Sequence, residues 1–322
     1  MTLAELAGLT DRAIEEYRRA GDAAAARPAY TEAVSNYDAA LRLLATLEEG
    51  RRRDERALAI EIACGSALSA RSGYTAAETA AAFTRAQSLA GKVGDASSLF
   101  HLDWVQWRTR FVQGDFGGAL EYGRRALSAC DPDDPADVRT VAHRMVAMPL
   151  VIMGCFAEGA THMQESLALY HPERHAHHAQ RFGADTRAAG LSWLAIARWC
   201  QGAVDAALTD MEASLSVSRQ LESGLARCQA LGHVAILRAL VDPAGADDSV
   251  EELLESSLKA GVPHWQAVAF GLRAGVRMAQ GDHRGALDDA ASGCDRFSQS
   301  GARLFQTLFL GFAAQAQIAP AV

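Results

Sequence analysis

Four histidines fall within eight residues, at His171, His175, His177 and His178, and they are the side chains of this chain best spaced for metal chemistry. On a continuous helix His171, His175 and His178 stand at i, i+4 and i+7, a single face of imidazoles that could hold zinc or nickel. Pro172 suits a helix start rather than a helix interior, no cysteine joins the set, and Glu173 and Asp185 are the carboxylates nearby. The expectation is therefore a solvated connecting segment with no metal. Metal binding through His171–His178, or sensing of a small molecule, stands as the alternative.

Other chemistry is harder to find. No G-x-S-x-G or H-E-x-x-H phrase is present, so nucleophilic and metallohydrolase catalysis have no carrier. Gly91-Lys92 is followed by valine and lacks the upstream glycine of a phosphate-cradling loop. The acidic stretch from Asp131 to Asp137 lacks the central glycine and closing glutamate of a calcium loop and carries Pro132 and Pro135, which makes it a turn. Arg51-Arg52-Arg53 runs straight into Asp54 and Glu55, a solvated charge run. With 31 basic against 39 acidic residues the net charge is −8, which matches neither nucleic acid nor an anionic membrane. The six cysteines are dispersed, with no C-x-x-C pair, as in buried thiols of a reducing compartment. Glu5 stands where a secretory leader needs a basic residue, so a cytoplasmic location is expected. Leu304 to Val322 is uncharged, but its glutamines and Pro320 make a buried terminal helix, over Ala302 to Ala316, the better reading than a membrane span. No catalytic residue, cofactor or metal ligand is assigned, and the chain is expected not to be an enzyme.

The elements that would position any site come from a repeat. A turn residue, an aromatic or apolar residue two positions on, a small residue three after that, and another small residue seven further recur along the chain. Clear copies begin at Pro28, Gly114, Gly154, Gly202 and Gly281, and degenerate ones at Gly73-Tyr74 and Gly245. The anchors are Ala33, Thr79, Ala119, Gly159, Ala207, Val250 and Ala286, spaced by 46, 40, 40, 48, 43 and 36 residues. Seven residues after them stand Ala40, Ala86, Ala126, Ser166, Ser214, Ser257 and Gly293, all small. Seven residues are two helical turns, so anchor and follower share a face that only a close-packed partner helix requires to be small. Four after the anchor the same face carries Tyr37, Phe83, Met163, Met211 and Leu254, with Gly123 and Ala290 as exceptions. A first helix precedes each anchor helix, for example Ser98 to Val112, Asp137 to Met153, Thr186 to Cys200, Leu225 to Leu240 and His264 to Ala279. Pro149 lies inside one of them and should bend it. The fold class is all-α: a helix-turn-helix solenoid coiling as a right-handed superhelix, about seven repeats plus an unpaired C-terminal helix, in one domain over 1–322.

This pattern resembles the tetratricopeptide repeat in longer-than-usual copies. More specifically, the chain looks like the C-terminal helical region of bacterial regulators that join a class III adenylate/guanylate cyclase or DNA-binding domain to a STAND-type ATPase. The likeness is carried by Ala7-Gly8-Leu9-Thr10-Asp11-Arg12-Ala13-Ile14 with Arg19-Ala20-Gly21, by Ala40-Leu41-Arg42-Leu43-Leu44, by Tyr170-His171-Pro172-Glu173-Arg174-His175, and by Trp193-Leu194-Ala195 through Gly202. It implies a regulatory, protein-binding role in signal transduction, without the ATPase loop or the cyclase carboxylates, and a chain that starts within a repeat reads as a piece or relic of such a regulator.

A solenoid leaves its concave face free for a protein or peptide partner. Registering the first helices by their anchors places His101, Trp104 and Arg108 beside Arg144 and Met148, then Ser192, Ile196 and Trp199. Arg110, Arg198 and Arg277 fall at another equivalent position. Arginine beside tryptophan would suit an extended peptide or an acidic helix, through charge-assisted bonds and stacking. The same tryptophans could instead fill gaps between repeats, with arginine stems lying over apolar surface.

Overall fold

The computed structural model describes residues 3–27, 29–72, 76–131, 136–175, 178–182, 184–300 and 302–318. Pro28, Gly73, Tyr74, the turn residues Pro132, Asp133, Asp134 and Pro135, His177 and Pro320 lie outside the described residues. The described residues are helical with no β-strand among them, and they form two compact units, Met1–Val105 and Gln106–Val322.

The first unit contains α1 (Leu3–Ala26), α2 (Tyr30–Leu44), α3 (Arg51–Ser72) and α4 (Ala77–Val93). They pack as α1 on α2 and α3 on α4, with α2 against α3. The bulky residue four after each anchor is seated on a glycine of the first helix of its repeat. A Cβ on Gly21 would sit 2.5 Å from the Tyr37 ring, and one on Gly65 would sit 2.8 Å from Phe83. That close approach is why both positions carry no side chain. The Tyr37 hydroxyl then donates to Asp22 at 2.8 Å, which satisfies the one polar atom the ring brings inward.

α5 (Ala96–Gln113) runs across the division. The second unit continues with α6 (Phe116–Ser128), α7 (Ala136–Ile152), α8 (Phe156–Leu169), and the short α9 (Pro172–His175) and α10 (His178–Arg181). It is completed by α11 (Thr186–Cys200), α12 (Val204–Arg219), α13 (Gly224–Val241), α14 (Asp247–Ala260), α15 (Pro263–Gln280), α16 (His283–Ser300) and α17 (Gln306–Ile318). Setting α9 and α10 aside, the helices make seven pairs and a C-terminal helix. Each of the seven anchors and each of the seven followers is buried, so the small-residue face is the face on which the pairs close.

The turn inside each clear pair of the second unit is made the same way. Gly114, Gly154, Gly202 and Gly281 stand five residues before their anchors with φ between 83° and 85°, a conformation that favours glycine. The next residue's amide reaches back to the carbonyl five positions earlier, from Asp115, Cys155, Ala203 and Asp282 to Arg110, Leu150, Arg198 and Arg277, each at 2.9 Å. Asp115 and Asp282 then cap the second helix by accepting from the amides of Gly118 and Gly285. The copy at Gly245 differs: residues Ala244–Ala246 form a 3-10 turn.

Followers that are serine use their hydroxyls across the pair. Ser166 donates to the Thr140 carbonyl at 2.7 Å and Ser214 to the Ala188 carbonyl at 2.8 Å, both 26 residues back, while Ser257 turns to Leu254 in its own helix. α7 continues through Pro149, and α17 lays Phe309, which is fully buried, over Gly271 and Phe312 over Gly275. The terminal helix thus begins at Gln306 rather than Ala302 and covers α15 and α16 with one face, leaving Leu310 and Ile318 exposed. Just before it, the amides of Arg303 and Leu304 both donate to the Val112 carbonyl of α5, at 2.9 and 3.2 Å, so the last helices of this unit return to its first. No helix among the described residues is long and apolar enough to cross a membrane.

Candidate ligand-binding site

Within the second unit the first helices form the tighter row. α7 packs on α11, α11 on α13 and α13 on α15, whereas consecutive second helices are not among the closely packed pairs of the described residues. In a curved stack the elements that crowd together lie on the inner side. Arg144 of α7, Ser192 of α11 and His233 of α13 come from that row and are 2%, 2% and 3% exposed.

Ser192 Oγ lies 3.3 Å from His233 Nδ1. The His233 ring is held edge-on by Trp193 at 5.1 Å and by Trp265 at 5.5 Å, and Trp265 fits only because Gly232 beneath it has no side chain. Burial pushes the His233 imidazole down to about 3, with His264 and Arg144 adding to the effect. Half-buried His264 is lowered to about 4 by burial and by the Arg108 charge. Both rings are therefore neutral at physiological pH, and the positive charge belongs to the arginines.

Arg144 is the unusual group. Burial lowers its guanidinium to about 10, the Asp185 charge opposing that shift and Arg108 adding to it, so it remains protonated at neutral pH. Its Nε and Nη1 are shut off from solvent and meet no hydrogen-bond acceptor among the described residues. Asp185 is already engaged: one oxygen caps α11 by accepting from Ala188 N at 2.8 Å, and the other accepts from the Tyr170 hydroxyl at 2.9 Å. The indole nitrogen of Trp193, a side chain with no exposed surface, is a second donor without an acceptor among the described residues. Buried donors in this state lose several kcal/mol relative to water, about 1–3 for a neutral group and more for a charged one. The site therefore favours anything that brings an acceptor.

Of the residues registered from sequence, Arg108, Arg144 and Ser192 belong to this cluster. Met148 is buried, and half-buried Ile196 and Trp199 pack against the core of α11 to α17. His101 and Trp104 belong to the first unit, where their rings stack with centroids 5.7 Å apart. His233, His264 and Trp265 were not read from sequence. A lone histidine in the apolar run Leu225 to Leu240 was the available signal.

Two expectations are corrected. Arg110, Arg198 and Arg277 pair within their own repeats, with Asp115 at 2.8 Å, Asp210 at 2.6 Å and Asp289 at 3.1 Å, so they tie the two helices of a pair together rather than offering charge to a partner. The histidine segment is not uniformly solvated. His171 is exposed, but His175 and His178 are buried, their rings stacked 4.7 Å apart at 6°. Tyr170 and Phe182 close that stack edge-on at either end. His175 Nδ1 accepts from the His171 amide at 3.0 Å, and His178 Nδ1 lies 2.9 Å from the Thr186 hydroxyl. The imidazoles act as flat aromatic fillers that close the long connection onto α11. Among the described residues no three His, Cys, Asp or Glu side chains are grouped to hold a metal, and His177 lies outside them.

No protein-family model matches the chain, and no curated protein does. Solved structures do. The apo form of RapI superposes with a TM-score of 0.67 at 11% identity, covering 89% of this chain and 98% of that one. A Rap protein complexed with Competence and Sporulation Factor gives 0.62 at 13%, covering 96% and 86%. The Rap conjugation gene regulator of the plasmid pLS20, in complex with the Phr* peptide, gives 0.59 at 14%, covering 98% and 76%. At such identities the likeness is one of architecture: the chain has the tetratricopeptide-like helical-repeat fold of the Rap structures.

Proposed function

We propose that this protein is a non-catalytic helical-repeat regulator of the cytoplasm that binds a peptide or an extended protein segment along the first-helix row of its second unit. The observation that carries this reading is a set of buried donors without acceptors among the described residues, Arg144 and Trp193, on first helices of that row. Two proteins of similar architecture were solved with Competence and Sporulation Factor and with the Phr* peptide, which supports an extended ligand here. The regulatory setting, as partner of a cyclase- or transcription-type ATPase system, rests on the sequence resemblance alone.

The test is retention of peptides from a random-sequence hexapeptide pool, read by mass spectrometry, on the wild-type protein and on Trp199→Ala, at a half-buried side chain of the row. A bound peptide touching this side chain loses about tenfold or more in retention when it is truncated. A pool from which the wild-type protein retains nothing would sink the reading.

A further inference from the structure

We propose that Arg144 is the receptor for a carboxylate of the bound peptide, with the indole nitrogen of Trp193 supplying a further donor. This inference rests on the peptide-binding reading above and names the chemical group that the site selects.

Three observations converge. The Arg144 guanidinium is 2% exposed, protonated at neutral pH, and has two nitrogens without acceptors among the described residues. A buried charge in that condition is disfavoured by several kcal/mol unless a counter-charge arrives. Asp185, whose field reaches it, offsets part of that charge, but its oxygens are engaged by a helix cap and by Tyr170 and neither accepts from the guanidinium. The neighbouring titratable groups are Arg108, a second cation, and His233 and His264, which burial keeps neutral.

The atoms left over are also of one kind. Arg144 Nε, Arg144 Nη1 and Trp193 Nε1 are donors, so a ligand that is itself a donor gains nothing here. A planar carboxylate matches the guanidinium fork and neutralises it, which an amide carbonyl cannot do. A peptide carries that group at its C-terminus or on an acidic side chain.

The experiment compares the hexapeptide pool as free acids with the same pool as C-terminal amides, on the wild-type protein, Arg144→Met and Arg144→Lys. Peptides retained by the wild-type protein are expected to lose about ten- to a hundredfold in affinity on Arg144→Met, and less on Arg144→Lys, which keeps the charge without the fork. Retained peptides should be enriched in free acids, or in Asp and Glu where the end is amidated. Thermal unfolding without peptide adds an independent readout: Arg144→Met should be at least as stable as the wild-type protein, because a buried charge whose donors lack acceptors has been removed. A marked loss of stability in Arg144→Met would assign the arginine to the core and overturn the inference. Equal retention by wild-type protein and Arg144→Met would also overturn it while leaving peptide binding intact. If no peptide is retained by any of the three proteins, the peptide reading itself fails. Stabilisation by citrate that disappears in Arg144→Met would then put a small acid where the peptide is proposed.

Discussion

The indole nitrogen of Trp107 donates to the carbonyl of Met145 at 2.7 Å, and that carbonyl is the one Pro149 leaves without a helical donor four residues later. The side chain of α5 thereby replaces the backbone bond that proline removes from α7, and the helix passes through Pro149 without ending. Trp107→Phe should destabilise the protein by about 1–3 kcal/mol, the cost of an orphaned buried carbonyl. In a Pro149→Ala background the backbone donor returns and the same change should cost less. Urea unfolding of the four proteins of this cycle measures the coupling, and additive costs would refute the replacement.

The same carbonyl sets the size limit at Gly123. A Cβ there would lie 2.6 Å from Met145 O, a fixed backbone atom, whereas a Cβ at Gly117, on the exposed side of the same helix, meets nothing within 4 Å. Gly123→Ala should cost about 1–3 kcal/mol by forcing α6 off α7. Gly117→Ala should be neutral or stabilising by about 0.5–1 kcal/mol, because it reduces the freedom of the unfolded chain. Thermal melts of the two variants side by side are sufficient, and equal effects would mean that the helix pair can separate freely.

Asp289 is 4% exposed and receives both Arg273, at 2.8 Å to each oxygen, and Arg277 at 3.1 Å. Asp289→Ala leaves two guanidinium groups facing a buried gap and should cost about 3–5 kcal/mol, with little dependence on salt. The Arg219–Glu252 fork, at 2.7 and 2.9 Å but on side chains 57% and 32% exposed, makes the contrast. Arg219→Ala should cost about 1 kcal/mol or less and vanish in high salt. Chemical denaturation at two ionic strengths would expose an error if the order were reversed.

Acid should weaken the second unit through His233. Its folded-state value of about 3 lies below the ordinary 6.5, so the unfolded chain takes up the proton first. The contribution is complete above pH 6.5 and is lost progressively as pH falls from there towards 3. His264, lowered to about 4, acts in the same direction and over the upper part of the same window. His233→Gln should therefore flatten, without abolishing, the dependence of the urea midpoint on pH below 6.5. An unchanged slope would mean that His233 is hydrated in the native protein.

Much of the architecture was legible because a helix pair is a local problem. Ala119 and Ala126, or Ser166 two turns after Gly159, are small for a reason that a single repeat contains: another helix must approach there. The turn glycines at 114, 154, 202 and 281 announce themselves for the same reason, since the left-handed conformation at that place is needed whatever the rest of the chain does. Predicted helices such as Thr186 to Cys200 match the observed ones closely, and seven pairs with a terminal helix follow from the anchors.

The histidines mark where that reasoning stops. Spacing put His171, His175 and His178 on one helix face, but the segment folds as two short helices that leave His171 exposed and bury the other two rings among Tyr170, Phe182 and Thr186. Arg198 and Arg144 both lay on first helices in the sequence register, and nothing in their spacing said that the first would find Asp210 while two nitrogens of the second would find no acceptor among the described residues. By itself the sequence determined that this chain pairs helices in series, through small residues repeated at two-turn intervals. The tertiary structure alone decided which polar side chains are satisfied and which are left waiting, because a hydrogen-bond partner is chosen by the three-dimensional meeting of separate helices, and periodicity along the chain carries no record of that meeting.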